Sequence, residues 1–309
     1  MSRRRIPGLA ASLIAIAMLA GCGLGPGPGT GGASLTVTKN FGGHPMAVVT
    51  ESRVPGAETV MRMLERHFHV GTKYGGGFVQ TIDGSAGTSD RTDWFYYVNG
   101  VQAPQGAATT AVHKNDRIWF DLHDWQATQS IPAVVGSFPA PFTNGTGGKR
   151  LPTTIECASE VTAACNRVAK ALSSAGVPAA SQLLGTGSGP DTLGVVVGPW
   201  RDLDSEVAAS YIEHGPGASG VYARFAGTHG SVLELLNPAG QVVRTLGPGA
   251  GLIAATADNT SVPTWLITGT NAAGVTAAAR ALNAGALHDH FALAVTANEQ
   301  IPLPVQSSG

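Results

Sequence analysis

Seven consecutive residues, Trp94-Phe95-Tyr96-Tyr97-Val98-Asn99-Gly100, constrain this chain more than any other stretch. Large aromatic and β-branched side chains in unbroken succession suit a pleated strand. Asn-Gly is the pair that accepts positive φ at both central positions of a tight type I′ turn. A strand running straight into such a turn predicts a hairpin, and with it a sheet. Composition agrees: 42 Gly, 19 Pro and only 13% charged residues in a chain of 309 exclude a coiled coil or an all-helical bundle. Hydrophobic residues at 43% exclude wholesale disorder. A formal net charge of −1 leaves no global nucleic-acid footprint.

Around this strand the residues 34–125 read as a first domain. Ser34-Leu35-Thr36-Val37-Thr38 alternates as a strand, and Met46 to Glu51 is a second apolar run, so the pair predicts an opening hairpin turned at Gly42-Gly43. Val60, Met63, Leu64 and Phe68 fall at helical spacing and predict a helix from about Ala57 to Phe68, marked at its start by Pro55. Phe78 to Ile82 and Asp116 to Leu122 complete the sheet. Two strands, one helix and then several more strands describe an α+β, β-grasp-like arrangement.

The aromatic strand into Asn99-Gly100, then Gly106-Ala107, then Lys114-Asn115-Asp116-Arg117-Ile118-Trp119-Phe120, resembles the DUF4430 family, the transcobalamin/intrinsic factor C-terminal-like domain. Asn115-Asp116 stands where that family usually has Gly-Asp. The resemblance covers about 90 residues and implies a β-grasp fold. It further implies ligand binding of the kind seen in cobalamin carriers, so a cobalamin-type ligand is the one it suggests; no other cofactor is expected.

The N-terminus places the chain. Arg3, Arg4 and Arg5 precede a short apolar run from Leu9 to Ala20, too brief to span a bilayer, which needs ~20 residues. Leu19-Ala20-Gly21-Cys22 follows and resembles the bacterial lipobox, so residues 1–21 are expected to be a lipoprotein signal peptide and Cys22 the lipidated first residue; an ordinary secretory signal is the alternative. Cleavage removes three positive charges and takes the formal charge from −1 to −4. The acyl chains, worth ~0.8 kcal/mol per buried CH₂, would then be the anchor. Residues 22–33, almost all Gly and Pro, read as a tether reaching at most ~40 Å. The expected localisation is the extracytoplasmic face of a cell membrane.

Residues 126–150, with three prolines and a Gly-rich run, read as a linker or irregular cover. Residues 151–309 read as an α/β sandwich domain. It has a strand to Cys157, a helix from Glu160 to Ser174, strands at Leu193 to Val197 and Thr264 to Thr268, and a hairpin around Asn237-Pro238-Ala239-Gly240. A helix from Ala272 to Asn283 precedes a final strand from Phe291 to Val295. Outside the cytoplasm Cys157 and Cys165 are most simply a disulfide. Eight residues apart on one helix they would stand ~12 Å apart along the axis, beyond disulfide reach, so Cys157 must precede the helix that carries Cys165. Two buried thiols remain the alternative.

Seven of the chain's 19 aromatics fall between Trp94 and Trp125. A one-layer sheet hides only one face against a single helix, which leaves Trp94, Tyr96 and Trp119 as the candidate ligand or partner face. Alternatively the second domain or segment 126–150 covers it. His288-Asp289-His290 holds metal-ligand types, but no partner ligands can be named and the run reads as a loop, so no metal site is expected. No nucleophile elbow, H-E-x-x-H, P-loop or dinucleotide fingerprint occurs, and no catalytic residue or enzyme activity is expected. The sequence thus points to a ligand- or partner-binding lipoprotein, accessory to nutrient uptake with a small-molecule ligand or a transporter partner. A structural or adhesion lipoprotein of the envelope without small-molecule ligand is the alternative.

Overall fold

The computed structural model describes residues 30–88, 91–257 and 262–306. The signal peptide, Cys22 and most of the tether lie outside the described residues. The elements run β1 (Thr30–Lys39), β2 (His44–Val54), α1 (Val60–His67), β3 (Val70–Lys73), β4 (Phe78–Ile82), β5 (Ser85–Ala86), β6 (Thr92–Val98), β7 (Val101–Gln102) and β8 (Arg117–Asp124). There follow α2 (Ala140–Asn144), β9 (Thr153–Cys157), α3 (Thr162–Ser174), β10 (Ala179–Leu183), β11 (Leu193–Pro199), α4 (Val207–Glu213), α5 (Pro216–Ser219), β12 (Ala223–Ala226), β13 (Val232–Leu236) and β14 (Val242–Leu246). The chain closes with β15 (Gly251–Thr256), β16 (Thr264–Gly269), α6 (Ala272–Ala281), α7 (Ala284–Leu287), β17 (Ala292–Val295) and β18 (Gln300–Leu303).

The first sheet has the order β2-β1-β8-β6-β7. Its first and last long strands, β1 and β8, lie parallel at the centre, and the others pair antiparallel. That is the β-grasp order. Alternation in β1 sends Leu35 and Val37 to the helix side, where they bury against Met61, Met63 and Leu64 of α1. The Asn99-Gly100 turn forms as the sequence predicts, with φ of 53° and 79° between β6 and β7.

Three local expectations are corrected. The tether was expected to run through Ala33, yet β1 starts at Thr30 and pairs with β2 from Thr30↔Val54 onward. A Cβ on Gly32 would lie 2.4 Å from the Glu51 carbonyl oxygen, so glycine here permits a close strand approach and is not slack chain. The first helix begins at Val60 instead of Ala57, because Ala57 sits at φ 54° and Thr59 caps the helix by accepting from the Arg62 N–H. For segment 126–150 the linker reading gives way to its alternative, the irregular cover: Ile131, Val134, Val135, Phe138 and Phe142 are buried, and its backbone bonds to Gly100 on one side and Phe291 on the other.

The second sheet has seven strands in the order β10-β9-β11-β16-β15-β17-β18. Strands β10, β9, β11 and β16 are parallel, and β15, β17 and β18 run antiparallel, a mixed sheet. Helices α3 and α6 cover one face over Ile155, Val195, Trp265 and Ile267. The other face, with Val196, Leu252 and Leu266, packs on α4 and on the three-stranded sheet β12-β13-β14. Cys157 at the end of β9 is disulfide-bonded to Cys165 on α3, with Cα atoms 6.1 Å apart. The geometric condition set by their spacing is met: the strand ends before the helix begins. Among the described residues no helix is long and apolar enough to cross a membrane.

Candidate functional site

The aromatic sheet has two faces, and they meet different neighbours. Register pairs Tyr96 with Phe120 and Tyr97 with Trp119 across β6 and β8. Strict alternation then puts Trp94 and Tyr96 on the α1 side with Ile118 and Phe120. Phe95, Tyr97 and Trp119 belong to the opposite face. The candidate face Trp94, Tyr96 and Trp119 is therefore split: two of its members share a surface and the third lies across the sheet. The cause is register, which places Trp119 beside Tyr97 and not beside Tyr96.

On the α1 side the sheet is not fully covered. A cleft of about 280 Å³ is lined by Phe78, Trp94, Tyr96, Gly106 and Phe120. A second of about 270 Å³ adjoins it, lined by Val98, Val101, Pro104, Thr110 and His113. Both are bounded by Gln102, Ala103 and Gln105, so one loop separates them. The Tyr96 hydroxyl holds that loop, bonding to the Gln105 carbonyl and to Thr110 Oγ1 at 2.8 Å. Burial pushes the Tyr96 hydroxyl pKa up, so it stays a neutral donor. Trp94 Nε1 donates to the Ser85 carbonyl at 3.0 Å, which fixes the indole. No Lys, Arg, Asp or Glu lines either cleft. Such a surface suits a neutral ligand with a large apolar part and a few amide or hydroxyl contacts.

Around Asp121 and His123 the opposite face is sealed. Asp121 and His123 are 0% and 2% exposed. Asp121 accepts from the backbone N–H groups of Phe41 and Gly42, each at 2.9 Å, from the Thr38 hydroxyl, and stands 2.8 Å from His123 Nδ1. Trp119 Nε1 donates to Thr38 Oγ1 at 2.7 Å. The His123 ring is stacked between Phe41 and Phe95, at 4.6 and 4.4 Å, with Phe291 of the second sheet edge-on at 5.3 Å. Phe41 pays φ 56°, an unfavourable value for a bulky residue, to place its ring against Tyr222 and Phe291. The Tyr97 and Tyr222 hydroxyls are buried there without a partner among the described residues. Burial, aided by the nearby Asp121 carboxylate, holds the Tyr97 hydroxyl well above its ordinary range. An Asp-His pair can serve catalysis, but this one is closed to solvent and wrapped in aromatic rings; its place in the molecule is the joint between the two halves.

Sequence reasoning missed the residues of that joint. Phe41, Asp121, His123, Tyr222 and Phe291 come from four separate stretches, and the one available signal was Asp121, a charge inside an aromatic strand. His288 and Asp289 lie in the turn after α7, as a loop, and face the first domain beside Trp119.

Residues 57–124 match the family described as "Domain of unknown function (DUF4430)". The matched stretch takes in α1, the aromatic hairpin and β8, and so both the open clefts and the Asp121–His123 pair. The opening hairpin β1–β2 that completes the sheet around the DUF4430 stretch lies before it. Two solved structures are similar to part of the chain. One is a "putative metal binding protein" from Ruminococcus gnavus ATCC 29149, 20% identical, covering 30% of this chain and 97% of that one at a TM-score of 0.26. The other is haptocorrin in complex with Cbi, 17% identical, covering 31% of this chain at a TM-score of 0.25. The alignment spans 26% of haptocorrin's own length. No curated protein matches the chain.

Proposed function

We propose that this chain is an extracytoplasmic lipoprotein that binds a neutral, largely apolar small molecule through the paired clefts of its DUF4430 stretch, as an accessory to nutrient uptake. The observation that carries the reading is the cleft pair on either side of Gln102–Gln105, aromatic, free of Lys, Arg, Asp and Glu side chains, and fixed by the Tyr96 hydroxyl. The basic start, the apolar run and Leu19-Ala20-Gly21-Cys22 support anchoring by lipid on Cys22. The Cys157–Cys165 disulfide supports an oxidising compartment. In this reading the chain binds and does no chemistry. Cobalamin is larger and richer in polar amides than this lining favours, and it is the first ligand to try only because the family resemblance suggests a corrinoid. Calorimetric titration of the detergent-solubilised chain with cobalamin should give a saturable isotherm that Trp94→Ala weakens by about tenfold. A flat trace at high protein concentration removes that ligand.

A second reading, an envelope lipoprotein that docks a protein partner and no small molecule, draws on β10. It is an edge strand of the seven-stranded sheet, and its Leu183 is 71% exposed. Crosslinking from a photoreactive group at Leu183 in intact cells should trap one consistent partner on this reading, and none on the first.

A further inference from the structure

The second face of the β-grasp sheet is not covered along its whole length. Beyond Trp119 a cleft of about 410 Å³ opens between the two halves. Its floor is β1 and β8, where the parallel register sets Ser34 beside Arg117 and Thr36 beside Trp119. Its roof is the turn after α7, which supplies His288 and Asp289, and Ser137 of the covering segment closes one wall.

The floor and wall carry hydrogen-bond donors. Arg117 gives one N–H to the Phe138 carbonyl at 3.1 Å and forms no ion pair among the described residues, so most of its donor fork is unused. The Ser34, Thr36 and Ser137 hydroxyls have no side-chain hydrogen bond among the described residues. Ser137 is only 4% exposed as a residue, yet it lines the cleft, and its hydroxyl is not among the fully buried atoms left without a partner. The roof carries the acceptor. The Asp289 carboxylate contacts His288 Nδ1 at 3.1 Å. Its backbone is at φ 55° and is wedged against the first hairpin: a Cβ on Gly42 would fall 1.8 Å from the Asp289 carbonyl oxygen. Burial pushes the Asp289 carboxyl pKa up from its ordinary value, His288 pulls the other way, and Asp121 adds to the rise.

The geometry points to this cleft as a site for a small zwitterion, a free amino acid or the end of a short peptide. The ligand carboxylate would lie on Arg117, Ser34 and Ser137, and its ammonium on Asp289. A guanidinium with free N–H groups is a bidentate carboxylate receptor. A carboxylate whose charged form burial disfavours is stabilised when an ammonium pairs with it. A ligand that is only anionic brings no ammonium to Asp289, and one that is only cationic meets Arg117, so the opposed groups select for a molecule carrying both. The volume lies in the range of small-molecule sites. The cleft lies on the opposite face from Trp94 and Tyr96, so it stands or falls apart from the cobalamin reading.

The test is calorimetric titration of the full chain with each of the common L-amino acids and with L-alanyl-L-alanine, beside their N-acetyl and carboxamide derivatives. At least one free zwitterion should bind saturably, and blocking either its ammonium or its carboxylate should weaken binding by about tenfold or more. Arg117→Gln should erase the preference for the free carboxylate, Arg117→Lys should keep part of it, and Asp289→Asn should erase the preference for the free ammonium. Ser137→Ala, a change small enough to leave the fold intact, should weaken the same ligand severalfold. No heat from any zwitterion up to ~10 mM overturns the proposal. So does binding that the blocked derivatives match, or that Arg117→Gln and Ser137→Ala leave unchanged in chains with native melting curves.

Discussion

The two faces of one aromatic sheet have opposite fates. On the α1 side Trp94, Tyr96 and Phe120 are covered for most of their length by Met61, Met63 and Leu64, and what is left uncovered is a pair of clefts. On the other side Phe41, Phe95, Tyr97 and Trp119 meet Tyr222 and Phe291 of the second half, and a carboxylate and an imidazole are shut in with them. Both faces are built of the same residue types. The difference is what lies above them: an eight-residue helix and the small sheet β3-β4-β5 on one side, the edge of a larger domain on the other. Aromatic content alone therefore does not mark a binding surface; the area available to cover it decides.

The comparison can be broken from the sealed side first. Asp121→Ala removes the acceptor of two backbone N–H groups and the Thr38 hydroxyl, the Gly42 N–H part-buried and the others buried. It should cost about 3–5 kcal/mol in denaturant unfolding, because each orphaned donor keeps its desolvation penalty. A cost below ~1 kcal/mol would mean that water replaces the carboxylate and that this face is less closed than described. Next in size, Phe41→Ala should cost about 3 kcal/mol by deleting a buried ring that touches His123, Tyr222 and Phe291. The loss should appear as a lower midpoint of the whole transition, since the ring belongs to both halves.

Changes on the open face should be milder for stability. Tyr96→Phe removes the hydroxyl bonded to Thr110 and should cost about 1 kcal/mol. Its larger signature should be faster hydrogen exchange in residues 103–110, which the hydroxyl ties down. The smallest effect is a pH dependence. Burial holds the His290 imidazole below its ordinary value of 6.5. The unfolded chain therefore takes up a proton that the folded chain refuses, so stability is flat above about pH 6.5 and falls as the pH drops below it. His290→Gln should flatten that part of the stability profile, read from melting temperatures between about pH 5 and 7.

Much of the framework is legible in the residues. The aromatic run into Asn99-Gly100 gives its hairpin, and the Cys157–Cys165 spacing requires a strand before a helix. Other parts carry no readable signal. Gly251-Leu252-Ile253-Ala254-Ala255-Thr256 is buried on both sides, so β15 lacks alternation. Ala179-Ala180-Ser181-Gln182-Leu183 is an edge strand that is half-exposed and small, so β10 lacks hydrophobic mass. Gly32 reads as slack because sequence does not reveal that β2 runs too close for a side chain. The candidate site shows the same limit. Alternation along β6 separates its faces correctly, but which residue of β8 stands beside which of β6 depends on register. That is fixed by the hairpin and by the parallel partner β1, neither of which is local to Trp119.

The central claim is that the sealed face joins the two halves into one cooperative unit. Native-state hydrogen exchange on the intact chain tests it most directly, by comparing the slowest amides of β6 and β8 with those of β15 and β17. Equal opening free energies, falling together in Asp121→Ala, are the predicted result. Amides of β6 and β8 that open at markedly lower free energy while β15 and β17 stay protected would contradict it.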